Sequence, residues 1–246
     1  MAADQHGDTQ KAIALYQQTI ALQPGSVPAR SNLGVVLAHA GRYSEAITQY
    51  QEALKRDPHN SVIQLNLALA RYKQADFEKA ASELVKLRKQ QPDNKQSLYL
   101  LADCYLRLGR NSDAVTLLTP AYQVDPADRA VQYALGTALI REGQIEQGQA
   151  VINRILKDGS TPEASLLMGE AQFAAGDYAA STATLKKAIE LDPFNPVTRK
   201  MLVVRLIDTK QYARAHQALE QYLEIFPQDD FMRQMLARAE GNKPKP

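Results

Sequence analysis

The chain has 246 residues, 45% of them hydrophobic and 23% charged, a length and balance that allow a continuous buried core. Its formal net charge of +2 is far from the clustered basic footprint of a nucleic-acid binder. No apolar run approaches the roughly 18 residues of a membrane span, and the opening Met-Ala-Ala-Asp-Gln-His has no signal-peptide core.

The first predicted helix covers residues 8–22, where Ala12, Ile13, Tyr16 and Ile20 fall at helical spacing and Pro24 ends it. From Val27 the chain repeats itself. Pro24, Pro58, Pro92 and Pro126 stand 34 residues apart, and after a gap of 67 the pattern resumes at Pro193 and Pro227. Small residues keep the same register at Ala12, Ala46, Ala80, Ala114 and Gly148, then at Ser181 and Ala215. The gap therefore divides into 33 and 34, with one residue missing between Lys157 and Pro162, where the turn proline is also lost. Glycines at 7, 41, 109, 143 and 176 share the phase, with Ala75 and Lys210 standing in elsewhere.

Six complete modules follow from this register, at 27–60, 61–94, 95–128, 129–161, 162–195 and 196–229. In each, a first helix ends on a left-handed glycine or its substitute, and a second helix closes on proline or its substitute, proline having no amide proton and being unable to continue the helix. The expected buried set is Leu33, Leu37, Tyr43, Tyr50 and Ala53 in the first module, with Leu101, Tyr105, Leu118 and Ala121 as counterparts in the third. The single cysteine, Cys104, cannot form an internal disulfide and falls at a small-residue helical position, as an inert core thiol does. Gly148 inside a helix costs about 1 kcal/mol against Ala, so the fourth module is the expected weak link. Residues 229–241 read as a final helix that buries Phe231, Met235 and Leu236, with Asp229 or Asp230 as its N-cap and Gly241 as its stop. A disordered tail is expected at 242–246.

The Leu-Gly, Tyr, Ala and Pro pattern at this period resembles the tetratricopeptide repeat. The resemblance spans about Asp8 to Asp229 and departs in lacking Trp and in the irregular fourth module. It implies an all-α, right-handed superhelical α-solenoid, a single array over residues 1–241. Residues 8–26 then form a partial repeat, a second helix without its first. This expectation covers two cases, a segment cut from a longer protein or an array that begins irregularly. It also leaves Ile13, Tyr16 and Ile20 without a covering helix, a surface for self-association.

Nothing in the sequence points to an enzyme, a cofactor or a metal. His6, His39, His59 and His216 are isolated, and no phosphate loop or serine elbow is present. Glu45, Glu78 and Glu83 fall on outward helix faces. What remains is a surface. The resemblance implies that first helices line a concave side, with positions 2, 5, 6, 9, 12 and 13 of each repeat facing a partner. Position 13 holds His39, Lys73, Arg107 and Arg141 before Ala174 and Asp208 end the basic row. Position 6 begins with Asn32 and Asn66, whose amides each offer a donor and an acceptor to an extended backbone. Tyr99 and Tyr133 occupy position 5, and position 12 is apolar from Ala38 and Tyr72 through Leu106, Ile140 and Phe173 to Ile207. Asp103 stands four residues before Arg107 on the same helix, spacing that suits a local ion pair.

The expected function is a non-catalytic scaffold that holds an extended peptide or a helix of a protein partner in the groove, with no nucleic acid and no membrane insertion. The alternative is a targeting or regulatory segment of a larger protein, such as a glycosyltransferase, secretion or envelope-assembly component. Ser31 and Val35 depart from the Lys and Asn pattern of the repeats that clamp chaperone tails. Low cysteine and Ala-, Gln- and Leu-rich helices suit a bacterial cytoplasm or periplasm, and no residue decides between them.

Overall fold

The computed structural model describes the backbone of residues 2–157 and 159–241, and the side chains of 8–157 and 159–236. The His6 side chain, Asp158 and the tail at 242–246 lie outside the described residues. Among those described the chain is helical, without strands. A first helix, α1 (Ala2–Leu22), precedes six pairs: α2 (Val27–His39) and α3 (Tyr43–Leu54), α4 (Ser61–Lys73) and α5 (Phe77–Gln90), α6 (Lys95–Arg107) and α7 (Asn111–Val124), α8 (Arg129–Arg141) and α9 (Ile145–Lys157), α10 (Pro162–Ala174) and α11 (Tyr178–Leu191), and α12 (Pro196–Asp208) and α13 (Tyr212–Ile225). The last helix is α14 (Asp230–Gly241). Contacts divide the chain into two compact units, Met1–Leu118 and Thr119–Pro246. The division falls within α7, beside Pro120, which sits inside the helix.

Each first helix begins at the first residue of its repeat because the residue before it is an N-cap. Ser26, Asn60, Asn94, Asp128, Thr161, Asn195 and Asp229 each accept from an amide two or three residues on, at 2.9–3.4 Å. A cap of this kind contributes about 1 kcal/mol to its helix. Sequence reasoning found only the last of the seven, although the row was readable as one more repeat landmark.

The first helices end alike. Arg42 N–H donates to the Leu37 carbonyl, and the same six-residue closure recurs from Asp76 to Arg71, Arg110 to Tyr105, Gln144 to Leu139, Asp177 to Gln172 and Gln211 to Leu206. Each closure needs a left-handed residue just past the helix. Gly41, Gly109, Gly143 and Gly176 supply it, and Ala75 (φ 61°) and Lys210 (φ 59°) adopt it at a steric cost.

Second helices approach first helices through the small-residue row. Ala46, Ala80, Ala114, Ser181 and Ala215 are fully buried. At Gly148 the row needs glycine for close approach. A Cβ there would lie 2.8 Å from Ile140 Cγ1 and 3.3 Å from the Gly136 carbonyl oxygen, so α8 and α9 meet more closely than an alanine allows. Gly34 has the same role under Tyr50, whose ring would stand 2.5 Å from an added Cβ.

Leu33, Leu37, Tyr50, Ala53, Leu101, Tyr105 and Leu118 are buried as expected, while Tyr43 and Ala121 are half-buried. Cys104 is fully buried, and burial, aided by the Asp103 charge, pushes its thiol up to about 11. The stripe of α14 differs from expectation: Met232 is fully buried and Phe231 is 63% exposed, while Met235 and Leu236 pack beside Met232 against Tyr222 and Leu219. α1 begins at Ala2, ahead of the expected residue 8, so the chain is helical through Gly7. Ile13 is 4% exposed, and Tyr16 and Ile20 pack with it into the cluster of Leu33, Leu37 and Tyr50. Ile13 is therefore covered while Tyr16 and Ile20 stay half-buried, and among the described residues Leu15 and Leu22 are the large apolar side chains of α1 that are exposed.

Candidate functional site

In the first unit a cleft of about 240 Å³ opens between α2, α3 and α4. Val35, Ala38, Leu69 and Ala70 line it, with Tyr43 and Tyr50 behind them. Asn66, His39 and Lys73 supply its polar groups. Helical periodicity explains the grouping: His39 and Lys73 end successive first helices, and Asn66 lies two turns before Lys73 on the same face. The other amide of the pair, Asn32, is exposed on α2 and does not line the cleft.

The next members of these rows are engaged within the fold. Tyr72 donates its hydroxyl hydrogen to Asp103 Oδ2, and Arg107 Nε donates to the same carboxylate oxygen at 2.8 Å and to the Tyr72 hydroxyl at 2.9 Å. The Arg107 guanidinium lies 5.4 Å from the centroids of both Tyr72 and Phe77, and those two rings meet edge to face at 5.3 Å. Bonds from Asp103 and Tyr72 hold the guanidinium pKa above its ordinary value. Desolvation first, and then the Asp103 carboxylate, raise that of Tyr72. This cluster ties α4 to α6. The local pair read from the Asp103 and Arg107 spacing is present, and Tyr72, 31 residues before Asp103, completes it across repeats.

Tyr99 is half-buried on α6. In the second unit the Tyr133 hydroxyl shares a hydrogen bond with the N-cap Thr161, and its ring packs on Ile140 and Leu167. Arg141 is exposed, and its charge acts on Glu170. Burial pushes the Glu170 carboxyl up, against the pull of Arg141 and Arg205. The Arg205 guanidinium stacks 3.9 Å from the Phe173 centroid and bonds Asp208 at 3.4 Å. Sequence reasoning passed over Glu170 and Arg205, at positions 9 and 10 of their repeats.

A buried cation, Arg71, changes the setting of Glu83. Arg71 is buried at a position where the neighbouring repeats place Leu37 and Tyr105, with Asp76 and Glu83 at 3.9 and 3.8 Å. Glu83 is therefore half-buried beside a cation, not simply solvated on an outward face. Among the described residues no group of three or more His, Cys, Asp or Glu could hold a metal ion, and no helix is long and apolar enough to cross a membrane.

Family models described as tetratricopeptide repeat match residues 1–61 and, for a second model, 37–104, 72–120, 105–171 and 172–239. No curated protein matches the sequence. Among solved structures, the chain is similar to a tetratricopeptide repeat protein from Parabacteroides merdae, with a TM-score of 0.73 and 16% identity over 96% of this chain and 94% of that one. YrrB, described as a TPR protein with an unusual peptide-binding site, matches with a TM-score of 0.62 and 17% identity over 72% of this chain and 92% of its own. A thermophilic TPR protein of Thermus thermophilus matches at 0.55 and 23% identity over 74% of this chain and its whole length.

Proposed function

The chain belongs to the tetratricopeptide repeat family, whose fold serves in general as a protein-interaction scaffold, and we propose that its first unit binds an extended peptide at the α2, α3 and α4 cleft. The observation that carries this reading is the contrast within one row. Arg107 is held by Asp103 and Tyr72, whereas no described residue engages the side chains of His39, Lys73 or Asn66 beside the apolar cleft. The volume suits one aliphatic side chain. Asn66 can bond the peptide backbone, and Lys73, with His39 when protonated, favours an acidic neighbour. The partner is thus a segment with an aliphatic anchor next to Asp or Glu. A peptide-binding site is described for the structural neighbour YrrB, which supports the class of partner.

A peptide library screened against the whole chain tests the reading. Selected sequences should pair an aliphatic residue with an acidic one, and Lys73→Glu should weaken their binding about tenfold and flatten its salt dependence. Arg107→Glu should instead disturb the fold of the first unit, as seen in its thermal unfolding. Binding that survives Lys73→Glu unchanged removes the cleft from the mechanism. For self-association through α1, Leu15 and Leu22 join the half-buried Tyr16 and Ile20 as the surface to test.

A further inference from the structure

We propose that the second unit holds a separate binding site for a neutral, polyhydroxylated small molecule of mono- or disaccharide size, in the polar cavity between α9, α10 and α11. The cavity measures about 440 Å³, within the roughly 300–1,000 Å³ of small-molecule sites. It lies at the irregular turn where the fourth repeat loses a residue and its proline.

The sequence opens this space in a specific way. At position 4 of other repeats a long polar arm reaches back to the turn: Arg30 to the Pro24 carbonyl, Gln64 to Pro58, Gln132 to Pro126 and Arg199 to Pro193, at 2.7–3.2 Å. The fifth repeat has Ser165 there, too short to reach and without a proline carbonyl to meet. Position 11, filled by Leu37, Leu139 and Leu206 in other repeats, is Gln172. Two positions on one face of α10, two turns apart, thus present hydrogen-bonding groups to this space, and the shorter side chain at Ser165 gives up volume.

Those groups are not consumed by the fold. Ser165 is 2% exposed and lines the cavity, with no described hydrogen-bond partner for its hydroxyl. Gln172 Oε1 is buried without a partner. Gln149 and Asn153 on α9, Ser160 in the turn and Thr184 on α11 complete the polar lining, and no side-chain hydrogen bond to another described residue occupies them. A buried polar group left unmade costs about 1–3 kcal/mol, so the cavity holds water or a ligand that reproduces its bonds.

The lining selects the ligand class. Lys187 and Asp177 cancel in charge, and Asp177 already caps α11 through the Ala180 amide at 3.0 Å. An anion would meet one ammonium and leave the amide carbonyl oxygens, Gln172 Oε1 among them, without a donor, and a hydrocarbon would strand Ser165 and Gln172. A polyol offers a donor and an acceptor at every hydroxyl, as the amides and hydroxyls of the wall require, and its C–H face fits against Leu156 and Met168.

The test is an NMR titration of the whole chain with glucose, maltose and sorbitol, with acetate as the charged control, observing the side-chain amides of Gln149, Asn153 and Gln172. Saturable shifts with a neutral probe at roughly millimolar dissociation constants, weakened at least about tenfold by Ser165→Leu, are the expected result. Circular dichroism checks that variant's fold, and the paired surface changes Gln149→Ala and Asn153→Ala replace it if it unfolds. No saturable shift with any neutral probe, shifts with acetate alone, or unchanged binding in the folded variants overturns the proposal.

Discussion

In the unit Met1–Leu118, Tyr72 at position 12 packs on Phe77 and receives Arg107 over its ring; in the unit Thr119–Pro246, Phe173 at the same position packs on Tyr178 at 5.0 Å and receives Arg205. The two clusters differ in where the hydroxyl sits, on the position-12 ring at Tyr72 in the first and on the following ring, Tyr178, in the second. The Tyr72 hydroxyl bonds Asp103, which also takes Arg107. Phe173 has no hydroxyl, and Glu170 stays half-buried with its carboxyl pushed up by burial. A position on a first helix is therefore not a ligand position by default. The aromatic and the arginine first serve the packing of neighbouring repeats, and only residues outside such a cluster, as at His39 and Lys73, remain for a partner.

The largest expected effects test how closely each unit is packed. Gly34→Ala in the first unit places a methyl 2.5 Å from the buried Tyr50 ring, and Gly148→Ala in the second places one 2.8 Å from Ile140. Both should destabilise, by about 1–3 kcal/mol and with Gly34→Ala at the upper end, measured by chemical denaturation. Helix propensity alone predicts the opposite sign, a gain of about 1 kcal/mol for each. A stabilised Gly148→Ala would mean that α8 and α9 do not meet this closely.

That reversal marks what the sequence could and could not show. The helix starts at Val27, Ser61, Lys95, Arg129, Pro162 and Pro196 were legible because each rests on local chemistry repeated at a fixed period. The role of Gly148 was not, because it depends on a neighbour in another helix. For the same reason the position of Arg107 in its row was legible, while its engagement by Tyr72 required the register between repeats. In α14, Phe231 and Met232 could each begin an apolar stripe, and only packing against Val203, Leu219 and Tyr222 selects Met232. The Ser165 and Gln172 cavity was legible in part: both residues break their rows, but the space they leave appears only when three helices are assembled.

A second comparison concerns how α14 is attached to the second unit. Asp229 accepts from Lys200 Nζ at 2.5 Å, the Tyr222 hydroxyl at 2.7 Å and the Met232 amide at 3.1 Å. The Lys200 bond, then Tyr222 and the amide, hold its carboxyl down to about 2. A carboxyl depressed in the folded state stabilises fully above its ordinary value near 3.8, and that contribution is lost as pH falls through about 2. The protection factors of the α14 amides, taken against the intrinsic exchange rate at each pH, should fall across that window, and Asp229→Asn should remove that acid dependence. Equal acid sensitivity in the variant would assign the effect to other carboxylates.

The smallest effects compare one left-handed residue from each unit. Ala75 and Lys210 occupy the helix-ending conformation that Gly41, Gly109, Gly143 and Gly176 fill elsewhere. A side chain there costs about 1–2 kcal/mol, whereas glycine gives back about 0.4–1 kcal/mol through the greater freedom of the unfolded chain. Ala75→Gly and Lys210→Gly should therefore each stabilise by about 0.5–1 kcal/mol, read as a higher denaturant midpoint with an unchanged slope. Because both sites are exposed and close the same backbone ring, from Asp76 to Arg71 and from Gln211 to Leu206, the two gains should match. A gain at only one of them would show that the two units do not enforce this turn equally, which their shared hydrogen-bond pattern says they do.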